Sequence, residues 1–291
     1  MTEGFSLIKI DGKISEPATA LINKISDAVG GLYKPYQIRR VAKAEAEAEI
    51  IKEQAQIKIT NLQRRALARF VSEEAKKQEN IESITEKAIP QLDDSSNPQN
   101  MENDWIANFF DKCRIVSDEE MQVLWAKVLA SEANSPGTYS KRTVNSLGSL
   151  DKRDAQLFTT LCGFVVAIGE EKTPLVYDQE ASIYKVQQIN FDTLTHLDNI
   201  GLIRFEPVTE LQKVELPQHI DIYYHGTALK VAFKNPKENR MDIGKVLLSS
   251  IGDELAGICN SKPMDGFLDY VIERLTKQGL VFSSPYPKPE I

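Results

Sequence analysis

The sequence holds only three cysteines, Cys113, Cys162 and Cys259, odd in number and far apart. They make no CxxC pair, so their spacing supports neither a disulfide framework nor a zinc ribbon. It points instead to buried apolar thiols in a reducing compartment. Long hydrophobic runs are also missing. The longest, around Phe164 to Ile168, falls far short of the ~20 apolar residues of a membrane span. The opening MTEGFSLIKIDGK lacks a charged-then-apolar signal pattern, so a cytoplasmic protein is expected. Catalytic loops are absent: there is no GxGxxG, Walker loop, GxSxG or HExxH. No catalytic residue, cofactor or metal is assigned, and the protein is read as a non-enzyme. Positive charge is in deficit, with a net charge of −7 and a pI near 5.2. That excludes a bulk nucleic-acid coater, because phosphate binding needs a positive surface, but leaves room for a local basic patch.

What is present is ordinary for a folded chain: 291 residues, 42% hydrophobic and 26% charged. A short amphipathic helix is predicted over 15–29. Ser15 caps it, Pro17 sits in its first turn, and Leu21, Ile22, Ile25 and Val29 share a face. It reads either as a helix packed on the body or as a reversible membrane-surface or partner helix. From 36 to 89 there is no proline or glycine, and good helix formers dominate. Unbroken, this helix would be roughly 80 Å long. Its apolar stripe is Val41, Ala44, Ala48, Ile51, Ala55, Ile59, Leu62, Ala66 and Phe70. The mean step is about 3.6 residues, the period of a straight helix in a bundle or oligomer and not of a leucine zipper. The larger members, Val41, Ile51, Ile59, Leu62 and Phe70, are the candidate oligomer face. Arg39, Arg40, Lys43, Arg64, Arg65 and Arg69 form two basic clusters. They read either as contacts to phosphate or anionic lipid or as a solvated helix face.

Pro90 and the polar run Asp93–Pro98 mark a candidate boundary. Helices are predicted over 102–114 and 118–132, the second opened by a Ser117/Glu120 capping box. With Trp105, Phe109, Phe110, Met121, Leu124 and Trp125 they make a helical-hairpin core. Helices over 141–150 and 151–166 come next. Strands are predicted at 175–177, 184–189, 220–225, 228–233 and 280–282, and helices at 192–199 and 266–277. The resulting division is 1–92 as a long-helix region for oligomerisation or partner binding, 99–172 as a helical core, and 173–291 as a winged-helix-like α+β domain. The fold class is α+β and predominantly helical.

His196–Phe205, HLDNIGLIRF, is followed by two strands and then by Leu248-Ser-Ser-Ile-Gly-Asp-Glu-Leu255. This order resembles a winged helix. The candidate recognition helix carries His196 but no Lys or Arg, which favours protein over DNA as its partner. The stretches DEEMQVLWAKVLASEA (118–133) and TVNSLGSLDKRDAQLFTTLC (143–162) are similar to the core of the bacterial abortive-infection alpha family and related uncharacterised families. ISDAVGGLYKPYQIRRVAKAEAEA (25–48) resembles the start of a DUF2806-type domain of unknown function. The resemblance implies a role in antiphage defence by association only, with no catalytic residues to carry over.

His219, Asp221, Tyr223 and His225 would share one face of a strand. They span ~13 Å, too far for one ion to join both histidines. The sequence therefore leads to a non-catalytic sensor or adaptor of antiphage defence, oligomeric, with a protein partner encoded nearby. The alternatives are a winged-helix nucleic-acid-binding regulator and a peripheral membrane effector acting through 15–29.

Overall fold

The structure, a computed structural model, describes residues 15–29 and 60–283. It is a mixed α/β chain with antiparallel sheets, divided into two compact units, 1–148 and 149–291. The division differs in place from boundaries near 92–99 and 172–173. Asp93–Pro98 does not leave the body as a linker. Asp93 N–H donates to Asn134 Oδ1 at 3.0 Å, Asn134 Nδ2 donates to Gln91 O at 3.0 Å, and Asn97 N–H donates to Ala133 O at 3.1 Å. The polar run is a stitched turn inside the first unit.

In that unit, α1 spans Glu16–Val29 and buries Ala18, Leu21 and Ile25. It packs on the helix Asn103–Cys113 and on a 3-10 turn at Pro98–Asn100. The apolar face that a membrane-surface role would use is thus already covered. The helix predicted over 36–89 meets a boundary at Thr60, whose backbone is extended. Gln63 N–H donates to Thr60 Oγ1 at 3.3 Å, and Thr60 N–H donates to Gln63 Oε1 at 2.9 Å. This capping box starts α2, Asn61–Ala88, afresh. Residues 30–59 lie outside the described residues.

Helix α3 is Asn103–Cys113, α4 is Glu119–Asn134 and α5 is Lys141–Leu147. The last turns of α2 bury Ile84, Thr85 and Ala88 against α4. A polar seam sets the register: Asn80 Nδ2 to Arg114 O at 2.8 Å, Ser83 Oγ to Gln122 Oε1 at 2.8 Å, and Gln122 Nε2 to Val116 O at 2.9 Å. The cap of α4 is Asp118, not Ser117. Its carboxylate accepts from Glu120 N–H and Met121 N–H, a stronger acceptor for two orphan donors than a hydroxyl. The core of the unit is Trp105, Phe109, Phe110 and Trp125.

Glu132 is buried on α4. Its carboxylate accepts from Gly137 N–H at 2.7 Å and Tyr139 N–H at 2.9 Å, fastening the turn that leads to α5. Burial outweighs these bonds and raises its pKa from the ordinary 4.5. A carboxyl raised in the folded state favours folding when protonated. Its contribution is full below the unfolded value and is lost as pH rises through the folded one. Glu132→Gln should therefore flatten the decline in stability just above pH 4.5. Urea melts at a series of pH values test this, and a decline of unchanged slope would remove Glu132 as its source.

The second unit begins with α6, Lys152–Cys162, which has an Asp151/Asp154 capping box. Helix α6 ends at Cys162, so Val165–Ile168 is strand β1 and not the tail of that helix. It hairpins with β2, Glu171–Pro174. Leu175–Tyr177 is not a strand: only Val176 makes a bridge, parallel to Gly244. The predicted strand at 184–189 is instead α7, Ser182–Lys185, followed by turns. Asp178 Oδ1 accepts from Glu180 N–H at 2.9 Å, and this Asx turn winds the chain into the helical turn.

Helix α8 is Phe191–Asn199 and leads into β3, Ile203–Phe205. Next come strands β4 (Leu211–Leu216), β5 (His219–Tyr224), β6 (Thr227–Ala232), β7 (Asn239–Gly244) and β8 (Val246–Leu248). Helix α9 is Ser250–Ala256, α10 is Phe267–Lys277, and β9 is Val281–Ser283. The main sheet runs β2-β1-β5-β6-β9, with separate pairs β3-β8 and β4-β7. Strands β5 and β6 join through His225 and Gly226, both at positive φ (43° and 85°), as a two-residue hairpin whose twist matches its strands. The core collects Phe164, Tyr177, Tyr184, Tyr224 and Phe267.

Candidate functional site

The first ten residues of α2 are exposed on every side. Leu62 is 68% exposed and Phe70 60%, and Leu67, one residue off the predicted stripe, is open as well. At 100° per residue, Leu62, Ala66 and Phe70 form one stripe along the helix. Arg65 and Arg69 flank it on one side, and Arg69 Nε reaches Glu73 at 3.4 Å. Arg64, also exposed, lies nearer the opposite face. The structure therefore brings Leu62, Phe70, Arg65 and Arg69 onto one open face, with Arg64 apart from them on the same exposed helix end. Val41, Ile51, Ile59, Arg39, Arg40 and Lys43 lie outside the described residues.

Helical periodicity reveals the stripe but not the groove beyond it. This shallow groove of about 380 Å³ continues along α2, lined by Lys76, Lys77 and Asn80 and closed by Arg114, Ile115 and Ser117. Ile115 is 69% exposed. Nothing in the linear sequence joins Lys76 to Arg114; the turn after α3 does so.

His196 and Asp198 of α8 are hydrogen-bonded within the fold. His196 Nε2 is 2.6 Å from Asp154 Oδ1, and Asp154 Oδ2 accepts from Asp151 N–H at 3.0 Å. Asp198 Oδ1 accepts from Phe205 N–H at 3.3 Å, and Asn190 caps the helix through Thr193 N–H. The exposed strand face of His219, Asp221 and Tyr223 is solvated, with Ile222 and Tyr224 inward, and His225 serves the hairpin turn. Among the described residues, no group of three or more His, Cys, Asp and Glu is placed to hold a metal ion. Among them too, no helix is long and apolar enough to cross a membrane.

Fold and site define a two-unit mixed α/β protein with an open helical surface on its first unit. The chain belongs to the family described as protein of unknown function DUF2806, whose family model matches residues 64–272. No curated protein and no solved structure gives a significant match.

Proposed function

We propose that this protein is a non-catalytic interaction protein of the cytoplasm that associates through α2, working as a sensor or adaptor in abortive-infection-like antiphage defence. The observation that carries the association is the apolar stripe Leu62, Ala66 and Phe70 on a helix end exposed all round. Isolated exposed leucines are ordinary, but two large apolar side chains in register on one helix face form a docking stripe. The occupant we favour is a second copy. An antiparallel pair centred near Ala66 sets Leu62 of one copy against Phe70 of the other, as a two-fold interface requires. The link to defence rests on resemblance. The Leu-Trp-Ala segment of α4 and the Asp151–Asp154 start of α6 both lie inside the matched family region.

The second unit supports a winged-helix-like reading. Helix α8 runs into β3, β3 pairs with β8, and Ser249 caps α9. We read it as a protein-binding module. His196 and Asp198 are occupied within the fold, and α8 offers no lysine or arginine for phosphates.

The test has two arms. Burying each of Leu62 and Phe70 is worth about 2 kcal/mol. In a dimer, Leu62→Glu with Phe70→Glu should weaken association by at least about a hundredfold. Sedimentation or light scattering should show a folded monomer. A phage panel plated on cells carrying the gene with its native neighbours should show protection that is lost both on deletion and in the double variant. A wild-type monomer at high concentration would dismiss the association. Equal plating with and without the gene would dismiss the defence role.

A further inference from the structure

Helix α6 and the turn after α7 enclose a second groove, of about 300 Å³, wholly within the second unit. Arg153, Gln156, Leu157 and Thr160 form the α6 wall, and Val186, Gln187 and Gln188 the other. The turn is a firm rim, because its main chain is spent internally. Val186 N–H donates to Ser182 O at 3.0 Å, Gln187 N–H to Tyr184 O at 3.0 Å and Gln188 N–H to Lys185 O at 2.9 Å. Gln188 lies in the left-handed region at φ 58°, and Thr193 Oγ1 pins it by donating to its carbonyl at 2.8 Å. Thr160 spends its hydroxyl on Gln156 O at 2.9 Å. The other polar groups of the lining are uncommitted. Among the described residues, Arg153 makes no ion pair and the side-chain amides of Gln156, Gln187 and Gln188 make no hydrogen bond. Leu157 and Val186, the latter 76% exposed, supply apolar surface between them. A lone exposed valine is ordinary, but one that lines a groove with free donors and acceptors is a docking feature.

We propose that this groove binds an extended peptide of a partner protein, with an aliphatic side chain on Leu157 and Val186 and a neighbouring Asp or Glu on Arg153. The inference deepens the reading of the second unit as a protein-binding module, and rests on it. An extended peptide brings main-chain N–H and C=O groups, which a groove must answer with acceptors and donors alike. A primary amide is the neutral side chain that offers both strongly, and this groove holds three. A helical ligand satisfies its own backbone and would have no use for them. Nucleic acid needs several cations for its phosphates. Arg153 is the one cation in the lining, with Asp151 two residues before it. A guanidinium can take a carboxylate through two parallel bonds, which fixes the acidic side chain in place. The firm rim keeps the cost of ordering low when the peptide binds.

The full chain should be screened against a displayed library of random heptapeptides, beside its Arg153→Glu and Val186→Asp variants. Both positions are exposed, and glutamate suits the first turn of a helix, so the variants should melt as the wild type does. Peptides enriched on the wild type should share an aliphatic residue beside Asp or Glu. Arg153→Glu should weaken their binding by about ten- to hundredfold, and Arg153→Lys should recover only part of that loss. Val186→Asp should weaken the same peptides. Peptides that bind every variant equally would overturn the groove while leaving the second unit a protein-binding module at another surface. No enrichment at all would overturn both. An oligo-dT probe should not bind, and binding that Arg153→Glu abolishes would overturn the proposal in favour of single-stranded nucleic acid.

Discussion

Gly252→Ala lowers the Tm of the second unit by roughly 10 °C, a loss of about 3 kcal/mol. The reason is a backbone approach that no rotamer can relieve. A Cβ at Gly252 would sit 1.9 Å from Leu202 O and 3.1 Å from its carbonyl carbon. The approach is held from both sides. Ser249 Oγ lies 2.6 Å from Gly201 O and 3.0 Å from Leu202 O, and Ser249 N–H donates to Leu202 O at 3.1 Å. The same hydroxyl accepts from Gly252 N–H at 3.0 Å, and Ile203 pairs with Leu248 in the adjoining strands. Alanine must therefore pry the turn at Gly201 off the start of α9 and break that pairing with it. Ser249→Ala removes the cap and the bond that the hydroxyl donates to the Gly201–Leu202 turn, about 1–2 kcal/mol together. Ser249→Thr keeps the cap and should stay within a few tenths of a kcal/mol of wild type. Thermal melts of the three variants decide. A Gly252→Ala protein that melts within a degree or two of wild type would mean that the close approach does not persist in solution.

Gly252 also shows what can be read from sequence and what cannot. The run Leu248–Leu255 is recognisable as a motif, and so is His196–Phe205. Their shared purpose is not, because it lies in a contact between segments far apart in the chain. The misreadings have local causes. With no proline or glycine from 36 to 89 and good helix formers throughout, Thr60 and Gln63 look like two more helix residues and not a start. Tyr184, Val186 and Ile189 suggest a strand, yet Val186 is 76% exposed and the burial follows a turn. Short apolar runs do not separate the two periods. Strands β4 and β7 escape a reading of sequence because bulges interrupt their pairing, so their alternation never builds up.

The functional surface divides in the same way. Leu62 and Phe70 are legible because a helix repeats its faces, and Arg65 and Arg69 come from the same geometry. Lys76 with Arg114 and Asp154 with His196 are not legible, since each pair is assembled by tertiary packing. The rule that three scattered cysteines are inert thiols suits Cys113, which is fully buried and whose pKa burial raises. Cys259 departs from it only in being partly, and not fully, buried.

Phe109→Ala should be the most damaging substitution in the first unit, at about 4 kcal/mol. Phe109 is fully buried and is the hub of the aromatic core. Its ring stacks on Trp105 at 5.1 Å and meets Trp125 edge-on at 5.0 Å and Phe110 edge-on at 5.1 Å. Each such pair is worth about 0.5–1.5 kcal/mol beyond its area. The cavity left by alanine cannot readily collapse. Trp105 is fixed by its Nε1–H to Tyr139 O at 2.7 Å, and Trp125 stands on α4 behind the seam that holds α2. Against a total stability of roughly 5–15 kcal/mol, such a loss leaves little margin. Because Trp105 and Trp125 are the only tryptophans in the chain, fluorescence reads this core selectively. Phe109→Ala should shift its tryptophan urea midpoint strongly, while Phe109→Leu should lose less than half as much. Equal loss in the two variants would show that ring contact, and not filled volume, holds the unit together. Negligible loss in either would mean that Phe109 is not the hub.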